Sequence, residues 1–143
     1  MDLGQATAEE APKAHGLIDA QGWGPGPYAG ETWWAHEGGT AMGVLRLVDA
    51  GGDAYIEDVV VREDLRGNGI GTALMREAMA SRDCSYFLVC HDERVAFYQR
   101  LGYSEISREE LPEAVATVCE AEGELNSDHA HLHHFMTTAT TRQ

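Results

Sequence analysis

The chemistry of this chain is concentrated in one run, Val59-Val60-Val61-Arg62-Glu63-Asp64-Leu65-Arg66-Gly67-Asn68-Gly69-Ile70-Gly71-Thr72-Ala73-Leu74. A β-branched, apolar stretch leads into a glycine-rich turn, and the turn opens a helical pattern. The first N–H groups of a helix have no partner inside it, and that end carries the positive pole of the dipole. A pyrophosphate suits such a place, because glycines let its oxygens approach the backbone closely. Two common phosphate loops are excluded. The Lys-Ser/Thr ending of a nucleoside-triphosphate loop is absent. A dinucleotide fingerprint puts its glycines directly after the strand, whereas Arg62, Glu63, Asp64, Leu65 and Arg66 intervene here. The remaining alternative is a tight turn with no ligand.

Other side chains with chemical potential are more scattered. Glu57 and Asp58 are adjacent on the strand that precedes the turn, so they face opposite sides, with Glu57 on the face of Tyr55 and Val59. His91 follows a later strand and is read as a cap for the next helix, with a base as the alternative. The run Asp128-His129-Ala130-His131-Leu132-His133-His134 puts His131 and His133 on one strand face, a spacing that metals use. A His-rich strand end is also ordinary surface, and no metal is assigned. Cys84, Cys90 and Cys119 are odd in number and lack metal-type spacing, which points to a reducing cytosol rather than a disulfide framework.

The elements that must position these groups follow from pattern. Residues 2–6 read as a short strand. Thr7 is an N-cap, with Glu9 and Glu10 in the first turn of a helix that runs to about residue 20 and turns Leu17 and Ile18 inward. Glycine and proline make residues 22–27 a loop. Strands over 31–36 and 42–48 are joined at Gly38-Gly39, and a further strand covers 55–62. A helix spans 69–81 with Leu74, Met75, Ala78 and Met79 as its apolar stripe. Residues 86–90 form a buried strand. A helix over 93–101 is stopped by Gly102. A strand over 103–107, a short helix over 111–120 opened by Pro112, and a last strand over 132–138 complete an α+β arrangement around a mixed sheet.

At 143 residues with 43% apolar content, the chain is expected to form one domain over residues 1–143. It lacks the run of about 18 apolar residues that a membrane span needs. Its N-terminal stretch, with Asp2, Glu9 and Glu10, lacks the layout of a secretion signal. Twenty-four acidic residues face ten basic ones, giving a net charge of −14, and Lys13 is the only lysine. Such a surface repels nucleic acid and anionic membranes. It is either a plain acidic surface or an adaptation to a salt-rich cytosol, where screening removes mutual repulsion. The scarcity of lysine favours the second.

The glycine run resembles the acetyl-CoA motif of the GNAT superfamily, Gln/Arg-x-x-Gly-x-Gly/Ala, matched by Arg66, Gly69 and Gly71. Ala96-Phe97-Tyr98-Gln99-Arg100-Leu101-Gly102-Tyr103 resembles the family's second motif at the end of a helix. The resemblance implies a GNAT-like, mostly antiparallel sheet flanked by helices, with a splayed central strand pair. It implies acetyl-CoA as co-substrate and transfer of its acetyl group to an amine. By resemblance, the backbone of Arg66, Gly67, Asn68, Gly69, Ile70, Gly71 and Thr72 holds the pyrophosphate. Val59, Val60 and Val61 pair with the pantetheine arm like an added strand. Tyr98 stands where the family places its proton donor, with a core aromatic as the alternative. Glu57, Asp58 and a water chain remain candidates for the base, and Glu57 is the side chain singled out.

Two departures qualify the resemblance. The family has two helices between its first two strands, but only residues 22–30 follow the first helix here. The second helix is therefore reduced, and the acceptor side is open or completed by a partner subunit, as in a homodimer. Trp23, Trp33 and Trp34 either line that side or fill the core. Ser107-Arg108-Glu109-Glu110-Leu111-Pro112 resembles a stretch of amino-acid N-acetyltransferases, which would imply a free amino acid or small amine as acceptor, with an arginine such as Arg46 available to pair its carboxylate. A peptide acceptor and a non-catalytic CoA sensor are the competing functions. The charge balance carries its own prediction: melting temperature rises as potassium chloride goes from low to molar concentration. A flat or falling curve removes the salt-adaptation reading.

Overall fold

The computed structural model describes residues 1–125 and 133–139. Among the described residues, four α-helices accompany a seven-stranded, mostly antiparallel sheet. The chain forms two compact units, Met1–Val48 with Ile56–Asp83 and Asp49–Tyr55 with Cys84–Gln143.

The first unit begins with β1 (Asp2–Gln5), α1 (Ala11–Asp19), β2 (Glu31–Glu37) and β3 (Thr40–Ala50). It continues through most of β4 (Asp53–Val61) into α2 (Ile70–Met79). The strands lie in the order β1-β2-β3-β4. Thr7, expected as the helix N-cap, instead closes, through a reciprocal box, a turn ahead of α1, whose N-cap is Glu10. Thr7 N–H donates to Glu10 Oε1 at 2.9 Å, and Glu10 N–H donates to Thr7 Oγ1 at 3.2 Å. Regular helix follows from Ala11 and buries Ala14 and Ile18 against Trp34, Val44 and Val60. The stripe expected on α2 is present, with Ile70, Leu74, Met75 and Ala78 buried and Met79 half-buried. Close approach of α2 to the sheet requires the glycine at position 43, where a Cβ would stand 3.2 Å from Ile70 Cγ2.

Residues 22–30 contain no helix, so the element between α1 and β2 is reduced to a loop, as expected. The loop is tied down by polar contacts. Tyr28 donates its hydroxyl hydrogen to the Asp19 carboxylate, and Ala29 O accepts from Arg46 Nη1 at 2.8 Å. Trp33 and Trp34 are core residues, whereas Trp23 is 58% exposed on the loop.

The second unit holds the start of β4, β5 (Tyr86–His91), β6 (Ser104–Ile106) and β7 (His133–Thr137), in the order β4-β5-β7-β6. Its helices are α3 (Val95–Arg100) and α4 (Glu113–Ala121). The parallel ladder between β4 and β5 consists of Ala54↔Tyr86 and Tyr55↔Phe87, the short pairing that a splayed strand pair leaves. The helix expected over 93–101 divides into a 3-10 turn, Asp92–Arg94, and α3, because the first turn tightens as helix starts often do. Gly102, at φ 97°, ends it. The Ser107 stretch is a capped turn in which Ser107 and Glu110 satisfy each other's backbone. Among the described residues no helix is long and apolar enough to cross a membrane.

His134 clips three parts of this unit together. Its Nδ1 lies 2.9 Å from Glu105 Oε2 on β6, and its Nε2 bonds the Asp92 carboxylate in the turn before α3. Glu105 and then Asp92 raise its pKa above the ordinary value. A raised folded-state pKa means the clip stabilises fully below the unfolded value, about 6.5, and is lost as pH climbs through the folded one. The difference in melting temperature between wild type and His134→Gln is therefore expected to be largest near pH 5–6 and to shrink toward alkaline pH. A difference independent of pH would show that the contact is packing alone.

Candidate active site

The glycine segment expected to meet a pyrophosphate is built entirely within the first unit. Arg62 N–H makes the sheet bond to Met42 O at 2.9 Å, and the chain then leaves β4 through a single 3-10 turn, Glu63–Leu65. The turn is fixed by bonds to carbonyls. Arg66 Nε donates to Val61 O at 3.2 Å, and Asn68 Nδ2 donates to Leu65 O at 2.9 Å. Arg62 pairs with Asp64 at 2.6 Å, a bond that lowers the Asp64 pKa and neutralises one of the turn's acidic residues locally. These contacts order the segment without consuming its N–H donors.

The first intrahelical bond of α2 runs from Ala73 N–H to Gly69 O at 3.0 Å. Among the described residues, no protein acceptor is recorded for the N–H groups of residues 67–72. Gly67 and Gly69 have φ of 86° and 80°, in the left-handed region that glycine enters without a Cβ penalty. A Cβ built on either meets nothing within 4 Å, so the space beside the turn is open. Six free donors, open space and a helix N-terminus fit the pyrophosphate of acetyl-CoA.

The carboxylates on β4 behave differently from one another. Glu57 is half-buried, with Oε2 sheltered from solvent. Asp58 accepts a bond from Arg46 Nε at 2.8 Å, with side-chain exposures of 12% for Asp58 and 3% for Arg46. This pair corrects two expectations. Arg46 is committed to Asp58 and Ala29 and is closed to a substrate carboxylate. Asp58 has φ 54°, so alternation along β4 does not carry across it. Glu57 shares a face with Tyr55 by that rule, but the rule no longer assigns Val59 to the same face. A left-handed non-glycine residue costs ~1–3 kcal/mol and persists only where its surroundings impose it.

Around this pair lies a polar cluster that sequence reasoning missed. The Arg46 guanidinium carbon sits 5.3 Å from the Tyr28 ring centroid, and His15 packs against Tyr28 at 4.7 Å. His15 Nε2 is 2.7 Å from Thr32 Oγ1. Burial, then the charge of Arg46, lowers the His15 pKa, and burial followed by the bond to Asp19 pushes the Tyr28 phenol up to about 12. No sequence spacing announces the cluster, because its members come from α1, the loop, β2, β3 and β4.

Tyr98 belongs to the second unit, on α3, and is 7% exposed. Its ring is edge-on to Phe97 at 5.0 Å and to Tyr103 at 5.8 Å. Burial drives the Tyr103 phenol far above its ordinary pKa. His91 occupies the capping position before the Asp92–Arg94 turn, but its side chain makes no capping bond. Its ring instead meets His133 edge-on at 5.1 Å. His133 turns Nδ1 toward Glu124 O at 3.3 Å. Among the described residues no group of three His, Cys, Asp or Glu side chains is arranged to hold a metal. Of His131 and His133, the pair with a spacing that metals use, His131 lies outside the described residues.

A mixed sheet with a short ladder between β4 and β5, and a strand that feeds a glycine turn at a helix start, are the features that the sequence resemblance implied. Comparison with known proteins agrees. The profile of the acetyltransferase (GNAT) domain matches residues 29–105, more than half of the chain. Rv2747 from Mycobacterium tuberculosis, crystallised with CoA, superposes with TM-score 0.72 at 20% identity, covering 99% of this chain and 100% of that one. N-acetylglutamate synthase from Neisseria gonorrhoeae, crystallised with coenzyme A and N-acetyl-glutamate, gives 0.74 at 17% identity, over 99% of this chain but 35% of the synthase. An acyl-CoA N-acyltransferase from Pseudomonas aeruginosa gives 0.68 at 20% identity, over 97% and 100%. No curated protein sequence matches the chain. The chain belongs to the GNAT family and is an acetyl-CoA-dependent acetyltransferase.

The site yields a direct test. Gly69→Asp places a side chain and a negative charge beside the free donors. Calorimetry is expected to show CoA affinity reduced by roughly tenfold or more, since one opposed charge at a few ångströms outweighs a hydrogen bond. Unchanged affinity would move the pyrophosphate elsewhere.

Proposed function

We propose that the chain acetylates a primary amine, carried by a small molecule or amino acid, with Tyr98 as general acid. The observation that carries this reading is the set of unpartnered N–H groups over residues 67–72 at the start of α2. Acetyl-CoA, when bound, supplies a thioester activated for transfer. The residues 67–72 hold its pyrophosphate, and the backbone of Val59, Val60 and Val61 runs beside the pantetheine arm. The amine must lose a proton to attack, and Glu57 takes it directly or through water. Tyr98 gives its phenolic proton to the departing thiolate.

Support for Tyr98 comes from its place in the second family motif, on a helix closed by Gly102. Asp58 is a weaker candidate for the base than Glu57, because its carboxylate is occupied by Arg46. A small acceptor is supported by the likeness to the gonococcal synthase, which was crystallised with N-acetyl-glutamate. An acceptor carboxylate, where there is one, is met by a group other than Arg46.

Acetyl-CoA consumption against pooled amino acids, polyamines and peptides identifies the acceptor class. With that acceptor, Tyr98→Phe is expected to lower kcat by one to a few powers of ten, the roughly 10²–10⁴-fold scale of acid–base groups reduced by the good thiolate leaving group. Acetyl-CoA affinity changes little, because the ring is kept. Turnover within about twofold of wild type, with chemistry limiting, returns Tyr98 to the role of a core aromatic beside Phe97.

A further inference from the structure

We propose that Arg46 is a positioning residue for the cofactor strand. By holding Asp58 in the left-handed conformation, it sets the path of residues 59–61, against which the pantetheine arm is laid. The inference rests on the assignment of those residues to that arm.

Asp58 is the non-glycine residue with positive φ among the described residues, and it stands inside a strand. Aspartate tolerates the left-handed region without seeking it, so its surroundings must impose it. The bond from Arg46 Nε, 2.8 Å long and nearly closed to water, is charge-assisted and lies where water competes least. Arg46 is itself held from two further directions. Nη1 donates to Ala29 O at 2.8 Å, and the guanidinium stands over the Tyr28 ring. Tyr28 is anchored in turn by Asp19 and by the His15 ring, which Thr32 fixes.

Stability alone is a poor reason for this arrangement. A buried ion pair is often no more stabilising than apolar side chains of the same volume. The pair does have a geometric consequence, because Asp58 separates Glu57 from Val59. The backbone at position 58 thus decides both the direction of the carboxylate before it and the course of the edge after it. The same guanidinium ties that point to the loop that replaces a helix on the acceptor side.

The test compares two ligands by calorimetry, CoA and its nucleotide portion lacking the pantetheine arm. In Arg46→Met the preference for CoA over the fragment is expected to fall by roughly tenfold, the size of one or two lost backbone hydrogen bonds. Fragment affinity stays within about twofold of wild type, because the donors of residues 67–72 are untouched. The single variant leaves a buried, unpaired carboxylate, so Arg46→Met/Asp58→Gly is measured beside it. Glycine enters the left-handed and the extended regions alike, so in the double variant the conformation is allowed but not imposed. Its melting temperature is expected to recover toward wild type while the preference for CoA stays low. A variant of either kind that keeps the wild-type preference overturns the positioning role. A wild-type protein that binds CoA no more tightly than the fragment removes the strand assignment itself, and this inference with it.

Discussion

A helix cannot satisfy its own first N–H groups, and the first unit is organised around leaving those of α2 open. Caps elsewhere in the chain close such donors, as Thr7 with Glu10 and Ser107 with Glu110 do. At α2 the capping position is Gly69, which has no side chain to offer, while Asn68 donates to Leu65 O and Arg66 to Val61 O. The turn is ordered while its donors stay available. Holding them requires a helix that does not shift. Leu74 and Met75 are fully buried, each contributing about 1.5–3 kcal/mol, and Gly43 lets the helix lie close to β3. An anion that binds there meets donors whose order is part of folding, so little is spent on reorganisation.

Charge is handled in two ways in this chain. Its 24 acidic residues outnumber the ten basic ones by more than two to one. Their repulsion is left to water and dissolved salt. The Arg46–Asp58 pair is the opposite case, closed from water on both sides. Removing one member of such a pair costs ~3–5 kcal/mol, because the other stays buried and charged. That cost favours a single arrangement of the pair around the left-handed residue of β4. The His134 clip lies between these extremes, half-open to solvent and dependent on pH.

Much of the architecture was legible in the sequence. Period-two runs with glycine turns located the strands, and the 3.6-residue stripe on α2 named Leu74, Met75 and Ala78 before any coordinate was needed. The glycine run and the Phe97-Tyr98 motif were legible for a similar reason. Pyrophosphate binding by backbone donors is local, so strand, turn and helix start must be contiguous in the chain. The absence of a helix over residues 22–30 also followed from composition, since two prolines and several glycines cannot sustain one.

Tertiary structure alone decided what depended on conformation and distance. Alternation placed Val59 with Glu57, but a left-handed Asp58 interrupts the period, and φ leaves no mark in the sequence of an aspartate. Arg46 read as a free cation for a substrate and is instead enclosed, because its partners at positions 29 and 58 meet it only once the strands pair. His91 sits at a capping position without capping, and Trp33 and Trp34 are core while Trp23 is surface. Sequence determined the groups that act through contiguous backbone. Folding decided those that act through side chains drawn from separate elements, because burial and pairing are properties of neighbours the chain does not place side by side.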